Sequence, residues 1–295
     1  KMKETFTPEL KLGKKNLVQL KVINEIIEEY LKQGYKLTLR QLYYQLVSRN
    51  IIPNLQKEYA KLSNLLVAGR MAGVVDWEAI EDRIRVPFLP YWVDDVAGAL
   101  DDTISQYRLN RQDNQKAYIE VWVEKDALSG VLRRITSHYH VNLMVNRGYS
   151  SCSAMYDASK RFNNSTSEGK RNIILYLGDH DPSGLDMIND IKKRLFSFGS
   201  EVEVIPIALT HKQIEEYNPP PNPTKIKDPR ANDYISKYGS TCWEVDALTP
   251  QTLNKLVTTT IEKNIDMELF NDKLELETEG KDILTDFKRD HEVEK

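Results

Sequence analysis

Along residues 16–33, NLVQLKVINEIIEEYLKQ, apolar positions fall at Leu17, Leu20, Val22, Ile23, Ile26, Ile27, Tyr30 and Leu31. Spacings of three and four predict an amphipathic helix, which Gly34 stops. A second helix is expected from Leu39 to about Ser48, with Thr38 as its N-cap and Pro53 closing the segment. A third fits 56–71 and a short fourth fits 76–84. Several short helices joined by tight turns point to a helix-turn-helix or winged-helix unit. PFLPYW, residues 87–92, carries two prolines and reads as a connection or wing edge. Residues 93–109 predict an amphipathic linking helix, and the polar RQDNQK at 111–116 a domain boundary.

The pattern then changes to alternating strand and helix. Continuous apolar runs AYIEVWVE (117–124), VNLMVN (141–146), NIILYLGD (172–179) and EVEVIPIAL (201–209) predict strands. Helices are expected over 126–137, 151–163 and 183–196. Such alternation argues for a parallel sheet covered on both faces. The proline-rich 218–230 reads as an irregular loop, and Thr249 with Pro250 as the start of another helix. The expected fold class is α/β plus a small, mainly helical domain. Its parts are a winged-helix unit over 1–92, a linking helix over 93–111, a Rossmann-like domain over 112–262 and a charged tail over 263–295.

The balance of 40% hydrophobic and 29% charged residues excludes a disordered chain, and no apolar run has the length of a membrane span. The start KMKETF carries no apolar leader, and Cys152 and Cys242 have neither disulfide-framework nor zinc spacing. A reducing, cytoplasmic setting is expected. The net charge of −3 hides an asymmetry: residues 1–74 hold 13 basic against 6 acidic side chains, net +7. A polyanion would therefore dock on the N-terminal part, although a solvated lysine-rich surface reads the same way.

Functional groups of an open parallel sheet collect at the carboxyl ends of its strands. Glu124 ends one predicted strand, and Asp179 and Asp181 end another in GDHDPSG. Their i, i+2 spacing puts both aspartates on one side of an extended chain and His180 on the other, as packing. Alone, the pair fits a cap for the next helix. With Glu124 it fits an all-oxygen site for Mg²⁺, with Mn²⁺ as a substitute. Glu244 and Asp246 repeat the i, i+2 spacing, as further acids or as a structural ion pair. In TLRQLYYQLV, Tyr44 stands four residues after Arg40 on a basic helix. It is either a core aromatic or a nucleophile needing a neighbour to activate a phenol of reference pKa about 10.

Taken together, these features resemble the A subunit of topoisomerase VI and the related meiotic double-strand-break transesterases, especially compact relatives on mobile elements. Arg40-Gln41-Leu42-Tyr43-Tyr44 is similar to the family's tyrosine motif. Val123-Glu124-Lys125, Gly148-Tyr149 and Asp179 to Gly184 resemble successive motifs of its Toprim domain. Residues 242–248, CWEVDAL, resemble a late family segment, with Trp243 in a lysine's place. The resemblance implies Mg²⁺-dependent double-strand cleavage of DNA, with Tyr44 forming a 5′-phosphotyrosyl link and Arg40 on the scissile phosphate. It implies Glu124, Asp179 and Asp181 as metal ligands, and Tyr149, Lys125 and Arg147 as DNA contacts. It also implies a homodimer whose sites combine the tyrosine of one subunit with the acids of the other. No ATP site is read in the chain, so any ATPase subunit acts in trans, and the expected location is cytoplasmic and nucleoid-associated. The alternatives are a Toprim nuclease that uses water, and a DNA-binding protein without activity.

Overall fold

The structure is a computed structural model that describes residues 4–7, 12–81, 90–146, 148–224 and 228–290. Three helices, α1 (Lys14–Lys32), α2 (Leu39–Ser48) and α3 (Gln56–Met71), pack around Leu20, Ile23, Leu42, Leu46 and Leu62. The apolar periodicity of each helix supplies one side of this core. Thr38 caps α2 through the Gln41 N–H, and Gln41 returns the bond to the Thr38 N–H, a reciprocal capping box.

The predicted fourth helix over 76–84 is reduced to one 3-10 turn, Trp77–Ala79. Asp76 caps the turn, and Ile80 leaves it extended to bridge in parallel to Leu37. Among the described residues of the 1–92 segment there is no antiparallel hairpin of the kind a wing requires. Residues 82–89, which include half of the predicted wing edge, lie outside the described residues. The linking helix is α4 (Val96–Gln106), capped by the Asp95 carboxylate.

The second half alternates as its sequence predicts: β1 (Ala117–Val123), α5 (Ser129–Tyr139), β2 (Asn142–Val145), α6 (Cys152–Ser167), β3 (Arg171–Leu177), α7 (Pro182–Ser197) and β4 (Glu203–Ala208). The strands form one parallel sheet in the order β2-β1-β3-β4. Alternate side chains face opposite layers. Val121, Val123, Leu175 and Leu177 pack with Leu132 of α5, whereas Trp122, Ile174 and Tyr176 pack with Phe162 of α6 and Met187 of α7. The connection after β1 runs to β2 on one side and the connection after β3 runs to β4 on the other, so the order reverses between β1 and β3. In such sheets the crevice outside the carboxyl ends at the reversal is the binding position.

After β4 come α8 (His211–Tyr217), β5 (Asn222–Pro223), α9 (Ala231–Tyr238), β6 (Thr241–Cys242), α10 (Pro250–Asn264) and α11 (Met267–Asp290). Two expectations change here. The segment 218–230 is not wholly irregular, because β5 pairs antiparallel with β6. The charged tail is α11, a 24-residue helix fastened to the domain. Its Phe270 joins the core, and its Glu277 carboxylate is buried against Arg111, whose guanidinium lies 2.9 Å from both carboxylate oxygens. Among the described residues no helix is long and apolar enough to cross a membrane.

Candidate active site

One contact between the helical unit and the sheet domain positions the candidate site. The 3-10 turn Val245–Ala247, between β6 and α10, docks on α2, and Ala247 belongs to the helical core. This contact holds Arg40 of α2 over the crevice at the strand ends. A cavity of about 520 Å³ there is lined by Arg40, Glu124, Lys125, Asp179, Asp181 and Glu244, with Ser183, Asn222, Asp228 and Trp243 around them. The three acids expected from the strand ends therefore share one cavity with the arginine of the tyrosine helix.

Backbone register sets the acids. The Glu124 N–H donates to the Leu177 carbonyl at 2.9 Å, which aligns the ends of β1 and β3. The Asp179 N–H donates to the Glu124 carboxylate at 3.1 Å. One Asp179 carboxylate oxygen accepts from the Val245 N–H at 2.9 Å, and the other lies 2.8 Å from the Lys125 Nζ. Asp181 caps α7, its Oδ1 accepting from the Gly184 N–H at 2.7 Å, so the cap reading holds for this aspartate and not for Asp179. Gly184 is required for the turn: a Cβ there would stand 2.2 Å from the Asp179 carbonyl oxygen.

Lys125 was expected to meet DNA. It lies half-buried on the cavity wall, its Nζ 2.8 Å from Asp179, 2.6 Å from Glu244 and 3.3 Å from Asp246. Burial disfavours its charge, but Asp246, Asp179 and Glu244 outweigh that and hold the ammonium well above its ordinary pKa. Arg40 is the second cation, with its Nε 2.5 Å from Asp246 and its terminal nitrogen on Glu244. Glu244 and Asp246 thus act as the structural ion-pair acids of the two readings open for them. Burial lifts the Glu244 carboxyl, yet Lys125 and Arg40 prevail and bring it to about 2.

Glu124 and Asp179 go the other way. Burial raises both; the charges of Asp181 and Glu244 add to it at Glu124, and those of Glu124 and Asp246 at Asp179, leaving Asp179 at about 8 despite the opposing pull of Lys125. Glu124, Asp179, Asp181, Glu244 and Asp246 gather around Lys125 and Arg40 in this region. Among the described residues no three His, Cys, Asp or Glu side chains converge as they stand into a metal-holding group. The donor set still fits a hard divalent ion, since Mg²⁺ is characteristically held by only one or two carboxylates completed by water. Glu124 and Asp181 both face the cavity, and each keeps one carboxylate oxygen that accepts no hydrogen bond among the described residues.

Tyr43 and Tyr44 are both buried, at 4% and 5% exposure. Tyr43 is a core aromatic whose hydroxyl donates to Asn54 Oδ1 at 3.0 Å. The Tyr44 hydroxyl hydrogen-bonds to Glu244, and Arg40 lies over the Tyr44 ring, 5.5 Å from its centroid. Burial first, then Asp246 and Glu244, push the Tyr44 phenol well above 10, and Arg40 only partly offsets them. Tyr44 is not among the residues lining the cavity.

Tyr149 is half-exposed and tied to α7, its hydroxyl donating to Asp186 at 2.7 Å and accepting from Arg230. Arg147 lies outside the described residues. His180 points away from the acids, as alternation predicts, into a cluster with Tyr234, Tyr238, His211 and Trp243. Sequence reasoning missed Asn222 and Asp228 on the cavity wall, because both sit in a proline-rich stretch with no periodicity. The signal for the ion-pair acids was present in the repeated i, i+2 spacing of Glu244 and Asp246. Compared with protein-family models, curated proteins and solved structures, the chain matches none.

Proposed function

We propose that the chain is a divalent-metal-dependent enzyme that cleaves duplex DNA by transesterification, similar to the topoisomerase VI A subunit. In this reading the helical unit is a winged-helix carrier of Tyr44 and the sheet is a Toprim domain. The observation that carries it is the shared cavity: an arginine from the tyrosine helix and three acids from two strand ends, brought together from distant parts of the chain. Arg40 exchanges its carboxylate partners for a phosphate of DNA, a suitable ligand for a planar guanidinium. Tyr44 Oη attacks the phosphorus, the bond from phosphorus to the 3′ oxygen breaks, and a 5′-phosphotyrosyl ester forms. The phenolic proton leaves to solvent, and solvent protonates the departing 3′ oxygen. Glu124 and Asp181 would hold a divalent ion, Mg²⁺ or Mn²⁺, which would supply electrostatic stabilisation of a phosphoryl group.

Duplex cleavage needs one site per strand, so the reading includes a two-fold homodimer. Tyr44 does not line its own chain's cavity, and the proposal places it in the mate's. DNA docks on the basic N-terminal part, and strand passage would require an ATPase from another chain. A second reading is favoured by the burial of Tyr44 and its raised phenol: hydrolysis by water, with Tyr44 structural. Denaturant trapping separates the two. The expected result is protein covalently joined to a 5′ DNA end, lost in Tyr44→Phe and kept in Tyr43→Phe. Normal cutting by Tyr44→Phe, with no trapped adduct, would establish the hydrolytic reading.

A further inference from the structure

Of the 24 residues of α11 only Phe270 and Glu277 are buried, seven apart on the side that faces the sheet domain. A neighbouring side carries Leu276, Ile283 and Phe287, whose spacings of seven and four place them in one stripe. These side chains are 50%, 69% and 50% exposed. Each is followed three residues later by an acid, Glu279, Asp286 and Asp290, so the stripe has an acidic border. A solvated surface needs no such row, whereas an apolar stripe with a charged flank is the form of a helix that lies in a groove.

The helical unit holds a groove of matching character. A cavity of about 840 Å³ runs between α1 and α3 beside the turn at 51–53, with Val18, Val22, Ile51 and Leu65 in its wall and Lys15 and Lys61 among its polar residues. Glu58 also lines it and is engaged by Lys61 at 2.7 Å. Among the described residues none of α11 lines the groove of its own chain. We propose that α11 of one copy lies in the α1–α3 groove of a second copy, its apolar stripe inward and its acids towards the lysines. The inference rests on the two-fold homodimer of the reading given above and names its contact; it uses neither the metal nor Tyr44. In a two-fold pair each copy gives its α11 and receives that of its mate, so the contact forms twice and the assembly closes. Charge complementarity selects this occupant: α11 holds 8 acidic against 4 basic side chains, whereas residues 1–74 carry a net +7.

Sedimentation velocity of the full chain over a concentration series is the test, with circular dichroism reporting the fold of every variant. The wild type is expected to dimerise. Ile283→Lys sets a cation against the lysines of the groove, and Lys15→Glu with Lys61→Glu reverses the groove itself; each should raise the dimer dissociation constant at least about tenfold. Adding Glu279→Lys and Asp286→Lys to the reversed groove makes the charges opposite again and should bring association back to within about threefold of the wild type. A merely structural role for these exposed side chains would not give that recovery. A dimer of unchanged strength in Ile283→Lys, or no recovery in the combined variant, would overturn the contact while leaving the homodimer reading intact. Groove reversal that weakens DNA binding and leaves association unchanged would assign the groove to DNA and overturn the contact as well. A wild type that stays monomeric throughout the series would remove the homodimer reading itself, and the contact with it.

Discussion

Glu277 gives the sharpest quantitative test of how α11 is held. Its side chain is 3% exposed and lies against Arg111, which is 6% exposed, with both carboxylate oxygens 2.9 Å from one guanidinium nitrogen. The Leu109 N–H at 3.2 Å, Lys281 at 3.0 Å and the Arg108 Nε at 3.5 Å also reach the carboxylate. Glu277→Ala removes the carboxylate and leaves the Arg111 guanidinium buried without it. Breaking a buried pair from one side costs roughly 3–5 kcal/mol. A second route gives a similar value. Burial raises the Glu277 carboxyl, but Lys281, Arg111 and the Leu109 N–H outweigh it and hold the group at about 2, against 4.5. At 1.36 kcal/mol per pH unit that depression is worth about 3 kcal/mol. For a domain of this size the loss corresponds to a fall in melting temperature of roughly 6–20 °C. The sign follows from linkage: the folded pKa lies below the unfolded one, so the stabilisation is complete above about 4.5 and is lost as pH falls towards 2. Thermal unfolding followed by circular dichroism at pH 7 and pH 2.5 measures both effects. A variant within about 1 kcal/mol of the wild type at pH 7 would refute the buried-pair account. So would a difference that persists unchanged at pH 2.5.

Three further outcomes are expected. His180 is 2% exposed and held neutral by burial, its pKa lowered from 6.5 to about 4, so wild-type stability should fall as pH drops from 6.5 towards 4. His180→Phe should flatten that part of a urea-unfolding profile, and an unchanged slope would count against the assignment. Thr38→Ala removes the capping box of α2 and should lower chemical stability by about 1 kcal/mol. Mixing inactive Tyr44→Phe with inactive Glu124→Gln protein should restore nicking of supercoiled DNA, because one of the two sites in a mixed dimer is intact when tyrosine and acids come from different subunits. A mixture without activity would place both groups in one chain.

Most of the sheet domain was legible because its signals are local. β1 and β3 are short apolar runs between polar turns, and α10 begins with Thr249 as cap and Pro250 at its first position. The helix expected over 76–84 failed because a tertiary partner outweighed its periodicity: Ile80 reaches Leu37 as an extended residue. The C-terminal helix was underrated for the opposite reason. Its composition reads as solvated, and the residue that anchors it is itself charged. Nothing near Glu277 in sequence announces Arg111, 166 residues away.

The candidate site divides along the same line. Strand-end position and i, i+2 spacing brought out Glu124, Asp179 and Asp181, since each depends on backbone geometry that a few residues define. What they could not assign is which cation each acid meets. Asp181 serves as a helix cap and still offers an oxygen to the cavity, a double role that spacing alone treats as a choice. Asp179 meets Lys125 because the 3-10 turn Val245–Ala247 docks on α2 and brings Glu244 and Asp246 into the same crevice. That docking places Lys125 among carboxylates. Its origin is packing between two units, with Ala247 entering the helical core, and periodicity encodes an apolar face without naming the surface that covers it. The charge pattern of the site is therefore a property of the interface between the helical unit and the sheet. Substitutions at Ala247 that loosen this interface should change the environment of Lys125 as effectively as substitutions among the acids themselves.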